Sequence, residues 1–160
     1  MASRKISDLT PEMQQKAVDF LQVAKQRGVD VLIYCTYRSP EEQARLWRQP
    51  KSTAQVIRGS ELLRTKYGRD DLADILMSVG PQNGPKVTNA LPGQSLHNYG
   101  LAFDCVPMVG GKLQWSKRCE LWQVIGECAE LAGLEWAGNW KTFVEFPHVQ
   151  MPGVNWRNLI

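Results

Sequence analysis

Between residues 10 and 47 the chain carries helix-start and helix-stop signals on either side of a single strand-forming run, and that order leaves few folds open. Thr10-Pro11-Glu12 reads as an N-cap, a first helical residue and an acidic first turn, and Gly28 stands just beyond the basic turn Lys25-Gln26-Arg27. Met13, Ala17, Phe20, Leu21 and Ala24 recur at helical spacing between them, which predicts a helix with one buried stripe. The following VDVLIYCTY, residues 29 to 37, is short and rich in β-branched and aromatic residues, as a buried strand is. Ser39-Pro40-Glu41-Glu42 then reads as a capping box that starts a helix carrying Gln43 and Trp47. Arg38 falls at the corner between strand and helix, where a side chain can reach a cleft.

Further on, the order is less regular. Residues 49 to 94 read as a long excursion over the surface, with one helix near Asp70 to Ser78 and then the Gly/Pro/Asn-rich GPQNGPKVTNALPGQ. Long loops of this kind are commonly functional or mobile, and this one delivers the chain to His97. GLAFDCV, residues 100 to 106, alternates as a strand, placing Asp104 on a face with Ala102 and Val106, where a carboxylate is costly unless paired or bound to a metal. Ser116 is expected to cap a helix running to about Ala132, with Gly133 as its stop. A last strand is expected from Thr142 to Gln150, with a bulge at Pro147 turning Glu145 and His148 toward one cleft. No internal repeat is evident.

A chain of 160 residues suffices for one compact domain, so residues 1 to 160 are read as a single unit with a helical or loop element inserted at about 49 to 86. The net charge of +3 comes from scattered basic residues without a run of five or six, which fits a solvated face and not a nucleic-acid surface. No stretch approaches about 18 consecutive apolar residues, so no membrane anchor is expected. MASRKISDLTPEMQQ lacks the apolar core of a signal peptide, which predicts synthesis in the cytoplasm. Cys35, Cys105, Cys119 and Cys128 are spaced too widely for zinc-ribbon pairs and are expected to be buried free thiols.

The chemistry concentrates around the two histidines, each beside a carboxylate: His97 with Asp104 in HNYGLAFD, and Glu145 with His148 in EFPH. A catalytic zinc ion wants three nitrogen or oxygen ligands from the protein and one open position, which His97, Asp104 and His148 can supply. A metal cannot shuttle protons by itself, and Glu145, left outside the ligand set, is the candidate base. Arg38 is the candidate for stabilising a developing oxyanion or for clamping a substrate carboxylate, and the sequence does not separate these roles. Taken alone, each residue also has a plain structural reading. Strand histidines are more often hydrogen-bonded core residues than ligands. Asp104 can close a turn or pair with an arginine, Glu145 can face solvent, and Arg38 can be a surface salt-bridge partner.

SLHNYGLAFD, residues 95 to 104, resembles the S-x-H-x-x-G-x-A-x-D signature of the zinc-dependent D-Ala-D-Ala carboxypeptidase and L-alanyl-D-glutamate peptidase family, which includes VanY-like enzymes and phage endolysins. Ser95, His97, Gly100, Ala102 and Asp104 match it, and E-x-x-H follows at Glu145 to His148. YRSPEEQARLW is similar to the family's R-S-x-x-x-Q segment at Arg38, Ser39 and Gln43, and EWAGNW, ending in Trp140, is similar to its tryptophan-rich turn. The resemblance implies zinc on His97, Asp104 and His148, Glu145 as base, Arg38 at substrate or transition state, and Gln43, Ser95 and Trp140 in supporting positions. It also implies an α+β fold, a central antiparallel sheet flanked by helices of the Hedgehog-like type.

The function so implied is that of a monomeric phage or prophage endolysin hydrolysing an amide in the peptidoglycan stem peptide, L-Ala to D-Glu being the first choice. It would act in the periplasm or cell wall after release from the host cytoplasm. A D-Ala-D-Ala carboxypeptidase is the alternative within the same chemistry. A zinc-stabilised cell-wall-binding module is the alternative from another class. The connection from about Arg48 to Lys86 looks longer than in compact relatives, which predicts a lid, a specificity element or decoration there.

Overall fold

The computed structural model describes residues 2–160, which form two compact units. The first comprises residues 2–37 and 99–154. Its helix α1 (Pro11–Gln26) begins as its cap residues dictate: the Thr10 hydroxyl accepts from the Met13 amide, Pro11 occupies the first turn, and Met13, Ala17, Phe20 and Ala24 are buried. Strand β1 (Asp30–Cys35) pairs antiparallel with β2 (Ala102–Val109). The sheet continues through β5 (His148–Gln150) to β4 (Glu135–Trp136), in the order β1-β2-β5-β4, and the short β3 (Lys112–Leu113) hangs on β2. Helix α5 (Leu121–Leu131) and α1 cover the sheet, with Phe20 meeting Phe103 at a ring-centroid distance of 5.3 Å among Ile125, Cys128, Trp136 and Val149. The fold is therefore α+β with an antiparallel sheet, as the sequence predicts.

Two expectations in this unit need correction. Helix α5 starts at Leu121 and not beside Ser116. Ser116 instead closes a turn, its hydroxyl accepting from the Arg118 amide and its carbonyl from the Trp122 indole, so the cap residue serves a preceding loop. The strand expected from Thr142 begins only at His148, because Phe143 takes a positive φ of 54°, which no strand tolerates.

Gly126 lets helix α5 pack closely on Trp136 of the sheet. A Cβ there would lie 2.3 Å from Cε3 of Trp136, whose indole is pinned by donating to the Phe146 carbonyl at 2.7 Å and by stacking on the Phe146 ring. Gly126→Ala is expected to cost about 1–3 kcal/mol through overpacking. Calorimetry would register that cost as a lower melting temperature, and an unchanged melt would show that the indole yields freely.

The second unit comprises residues 38–98 and 155–160. It holds α2 (Pro40–Trp47), α3 (Thr53–Tyr67) and α4 (Asp70–Ser78), followed by a 3-10 turn at Leu96–Tyr99. Trp47, Val56, Leu63, Leu72, Leu76 and Leu91 form a core of their own. The expected surface excursion is thus half right: α4 lies where predicted, and α3 is a full helix where a polar stretch was read. Its start is written in Ser52 and Gln55, which form a reciprocal capping box, and its end in Gly68, at φ 65°. Gly59 lets α3 approach closely, since a Cβ there would come 2.9 Å from Trp47. No helix of the described residues is long and apolar enough to cross a membrane.

Candidate metal centre

Within the first unit, register puts three ligand-type residues in one row. Cys35 of β1 faces Asp104 of β2, and Asp104 faces His148 of β5. Phe103, one residue along β2, faces Val149 and belongs to the helix-covered core, so the pleat turns Asp104 and His148 to the opposite side. Gly100 sets the entry to this strand: it adopts φ 66°, and a Cβ would fall 3.1 Å from the Thr10 amide, which donates to its carbonyl. The glycine of the 95–104 pattern therefore has both a conformational and a steric reason to be there.

His148 Nδ1 lies 3.1 Å from Asp104 Oδ1, and its Nε2 lies 3.1 Å from Gln150 Oε1. The Gln150 amide is oriented by its own Nε2, which donates to Glu135 Oε2 at 3.1 Å, since a carboxylate only accepts. The other Glu135 oxygen accepts from the Trp140 indole at 2.7 Å, and the Trp140 ring packs 5.8 Å from the imidazole. Gln150 thus offers an oxygen to His148 Nε2, which must donate. In the neutral ring Nδ1 then presents a lone pair toward a carboxylate oxygen, an arrangement that requires a proton or a cation between them. Two ligands of a tetrahedral zinc ion are about 3.3 Å apart at zinc–ligand distances of roughly 2.0–2.1 Å. The observed separation and donor types fit that edge, and the Gln150–Glu135–Trp140 chain behind the ring is the outer support that metal-binding histidines commonly have.

Glu145 sits exposed in a turn and not on a strand. Its carbonyl accepts from the His148 amide at 3.2 Å and its amide donates to the Ala137 carbonyl at 3.3 Å. The Pro147 carbonyl accepts from the Cys105 amide at 2.9 Å, tying the same turn to β2. The bulge anticipated at Pro147 is thus a turn that places Glu145 three residues before His148. Cys105 faces the core, where burial first and the Asp104 charge second push its thiol well above the usual range.

The second unit assembles the other predicted residues. Arg38 donates from Nη1 to Gln43 Oε1 at 2.9 Å, and Gln43, fully buried, donates onward to the Ala90 carbonyl at 2.8 Å. The Arg38 amide donates to the His97 carbonyl at 3.1 Å, and Asn98 Nδ2 donates to the Arg38 carbonyl at 2.8 Å. His97 is itself 2% exposed. Ser95 opens the 3-10 turn by accepting from the Asn98 amide at 2.9 Å through its carbonyl. The structure thus joins Asp104, His148 and Trp140 in one unit, and Arg38, Gln43 and the His97 backbone in the other. Sequence reasoning missed Gln150, Glu135 and the position of Cys35. Gln150 was legible, since it lies two residues beyond His148 and so on the same strand face.

Residues 6–137 match the sequence model of VanY, D-alanyl-D-alanine carboxypeptidase, and the chain belongs to that family. It is 31% identical over 153 residues to the peptidoglycan L-alanyl-D-glutamate endopeptidase CwlK of Bacillus subtilis (strain 168), spanning 91% of this chain and 74% of that protein. It is 26% identical over 147 residues to the L-alanyl-D-glutamate peptidase of Listeria phage A118, spanning 91% of this chain but 38% of that protein. A crystal structure of the vancomycin-resistance D,D-pentapeptidase VanY in complex with Zn(II) has the same fold, with a TM-score of 0.52 at 17% identity, covering 91% of this chain and 73% of that one.

Proposed function

We propose that the protein is a zinc-dependent peptidoglycan peptidase that hydrolyses the L-Ala to D-Glu amide of the stem peptide. The observation that carries the reading is the His148 Nδ1 to Asp104 Oδ1 pair, braced from behind and spaced as two ligands of one tetrahedral ion would be. His97 is proposed as the third ligand, on the strength of its place seven residues before Asp104 in the family pattern. Zinc bound there would polarise the scissile carbonyl and acidify the attacking water.

The chain's own groups do the rest. With zinc bound, Glu145 would serve as the base that accepts a proton from the attacking water and returns it to the leaving amine. Arg38, its guanidinium steadied by Gln43, meets the developing oxyanion or a substrate carboxylate. Trp140 buttresses His148 through Glu135 and its own ring face, and Ser95 shapes the turn that carries His97. The choice of bond follows the names of the Bacillus and Listeria phage relatives, and the phage origin of the latter is in keeping with an endolysin role, for which a monomer is proposed.

The second reading, a D-Ala-D-Ala carboxypeptidase, is favoured by the description of the matching family. Mass spectrometry of digested muropeptides separates the two. Peptides beginning at D-Glu are the expected product, and loss of a terminal D-Ala alone would transfer the assignment to the carboxypeptidase.

A further inference from the structure

We propose that Cys35 is a fourth protein donor to the same metal ion when no substrate is bound. The inference rests on the proposed metal centre and adds a residue that the 95–104 and 145–148 patterns do not contain. The β1–β2 register shifts between Ile33 and Cys35, and that shift brings Cys35 opposite Asp104, itself opposite His148. Three adjacent strands therefore contribute sulfur, oxygen and nitrogen donors to one row. Cys35 Sγ lies within 4.8 Å of an Asp104 carboxylate oxygen. On a tetrahedral zinc ion, a sulfur at roughly 2.3 Å and an oxygen at roughly 2.1 Å sit about 3.6 Å apart, so the sulfur and the carboxylate would close on each other by at most about 1.2 Å.

Two properties of the site favour the contact. Cys35 is 4% exposed, so bulk water scarcely competes for the position next to it. Sulfur is also the softest donor that zinc accepts, and mixed sulfur and nitrogen sets are tetrahedral. In the coordination step the S–H bond breaks, a sulfur–metal bond forms and the proton passes to solvent, with no change of oxidation state. The thiol would fill the position that water and substrate must take, giving a resting site closed by the protein itself and shifting its preference toward softer ions.

The test is the absorption spectrum of metal-free protein titrated with cobalt(II). The wild type is expected to show an intense near-ultraviolet thiolate-to-cobalt charge-transfer band beside weaker visible bands. Cys35→Ser and Cys35→Ala are expected to lose the ultraviolet band and keep the visible ones, which would also show that the variants remain folded around the metal. Visible bands without the ultraviolet band in the wild type would overturn this inference while leaving the metal centre standing. So would an ultraviolet band of undiminished intensity in a Cys35 variant that retains visible bands, because another thiol would then be its source. Absence of all cobalt bands from the wild type would overturn both the inference and the centre it rests on.

Discussion

Glu145→Ala is expected to keep its zinc and its fold while losing about 10²–10⁴-fold in the rate of peptidoglycan hydrolysis, the usual contribution of a positioned acid–base group. The retention follows from where the residue stands. Glu145 is exposed, and it is the backbone that fixes the turn, through His148 to the Glu145 carbonyl and Glu145 to the Ala137 carbonyl. Removing the side chain leaves those bonds intact, and surface substitutions of this kind fall within about 0.5 kcal/mol. Glu145→Gln, which preserves shape and removes only the ability to take a proton, should behave the same way. The measurement is the fall in turbidity of a purified cell-wall suspension, paired with metal analysis of the same sample. A variant that lysed walls at the wild-type rate would remove the base from the scheme and favour a recognition module that uses the ion only for its fold.

His148→Ala is expected to fail differently, losing the metal as well as the activity. The imidazole bridges the Asp104 carboxylate on one side and the Gln150 amide on the other, and it is almost fully buried. Its removal takes one hydrogen-bond partner from each of the half-buried Asp104 and Gln150, at about 0.5–1.5 kcal/mol for each bond lost. The variant should therefore melt at a lower temperature, purify without zinc and show only background turnover. Chelation of the wild type should reproduce the loss of activity, and readdition of zinc should restore the wild type but not the variant. Full zinc occupancy in His148→Ala would place the ion elsewhere and dissolve the proposed centre.

The sequence disclosed different layers of this molecule unequally. Helices α1 and α2 were legible because their ends are written in side chains that do one job: Thr10 and Ser39 each accept from an amide of the first turn, and a proline follows each. Helix α3 was not read, although Ser52, Gln55 and Gly68 carry the same kind of signal. Its buried stripe consists of Val56, Gly59, Ser60 and Leu63, two of which are not apolar markers: Trp47 fills the space beside Gly59, and the Ser60 hydroxyl donates to the Ile57 carbonyl. The Asp104 and His148 partnership could be anticipated from residue types, yet the Gln150–Glu135–Trp140 support behind it depends on how two strands and the loop between them come together. No local pattern encodes such a chain of contacts. The Thr142 strand failed for a local reason, since TFV has strand composition while Phe143 takes a left-handed backbone that only the finished loop enforces.

The hydrogen bond from the Glu145 amide to the Ala137 carbonyl closes residues 137 to 145 into a loop. Phe143 and Val144 stand exposed just before the closing residue Glu145. Such a construction separates what must stay fixed from what can change. Substitutions at the exposed Phe143 and Val144 side chains would leave the backbone bond that closes the loop in place. The loop thus separates its backbone fixation, which residue identity scarcely affects, from an apolar outer surface that residue identity decides.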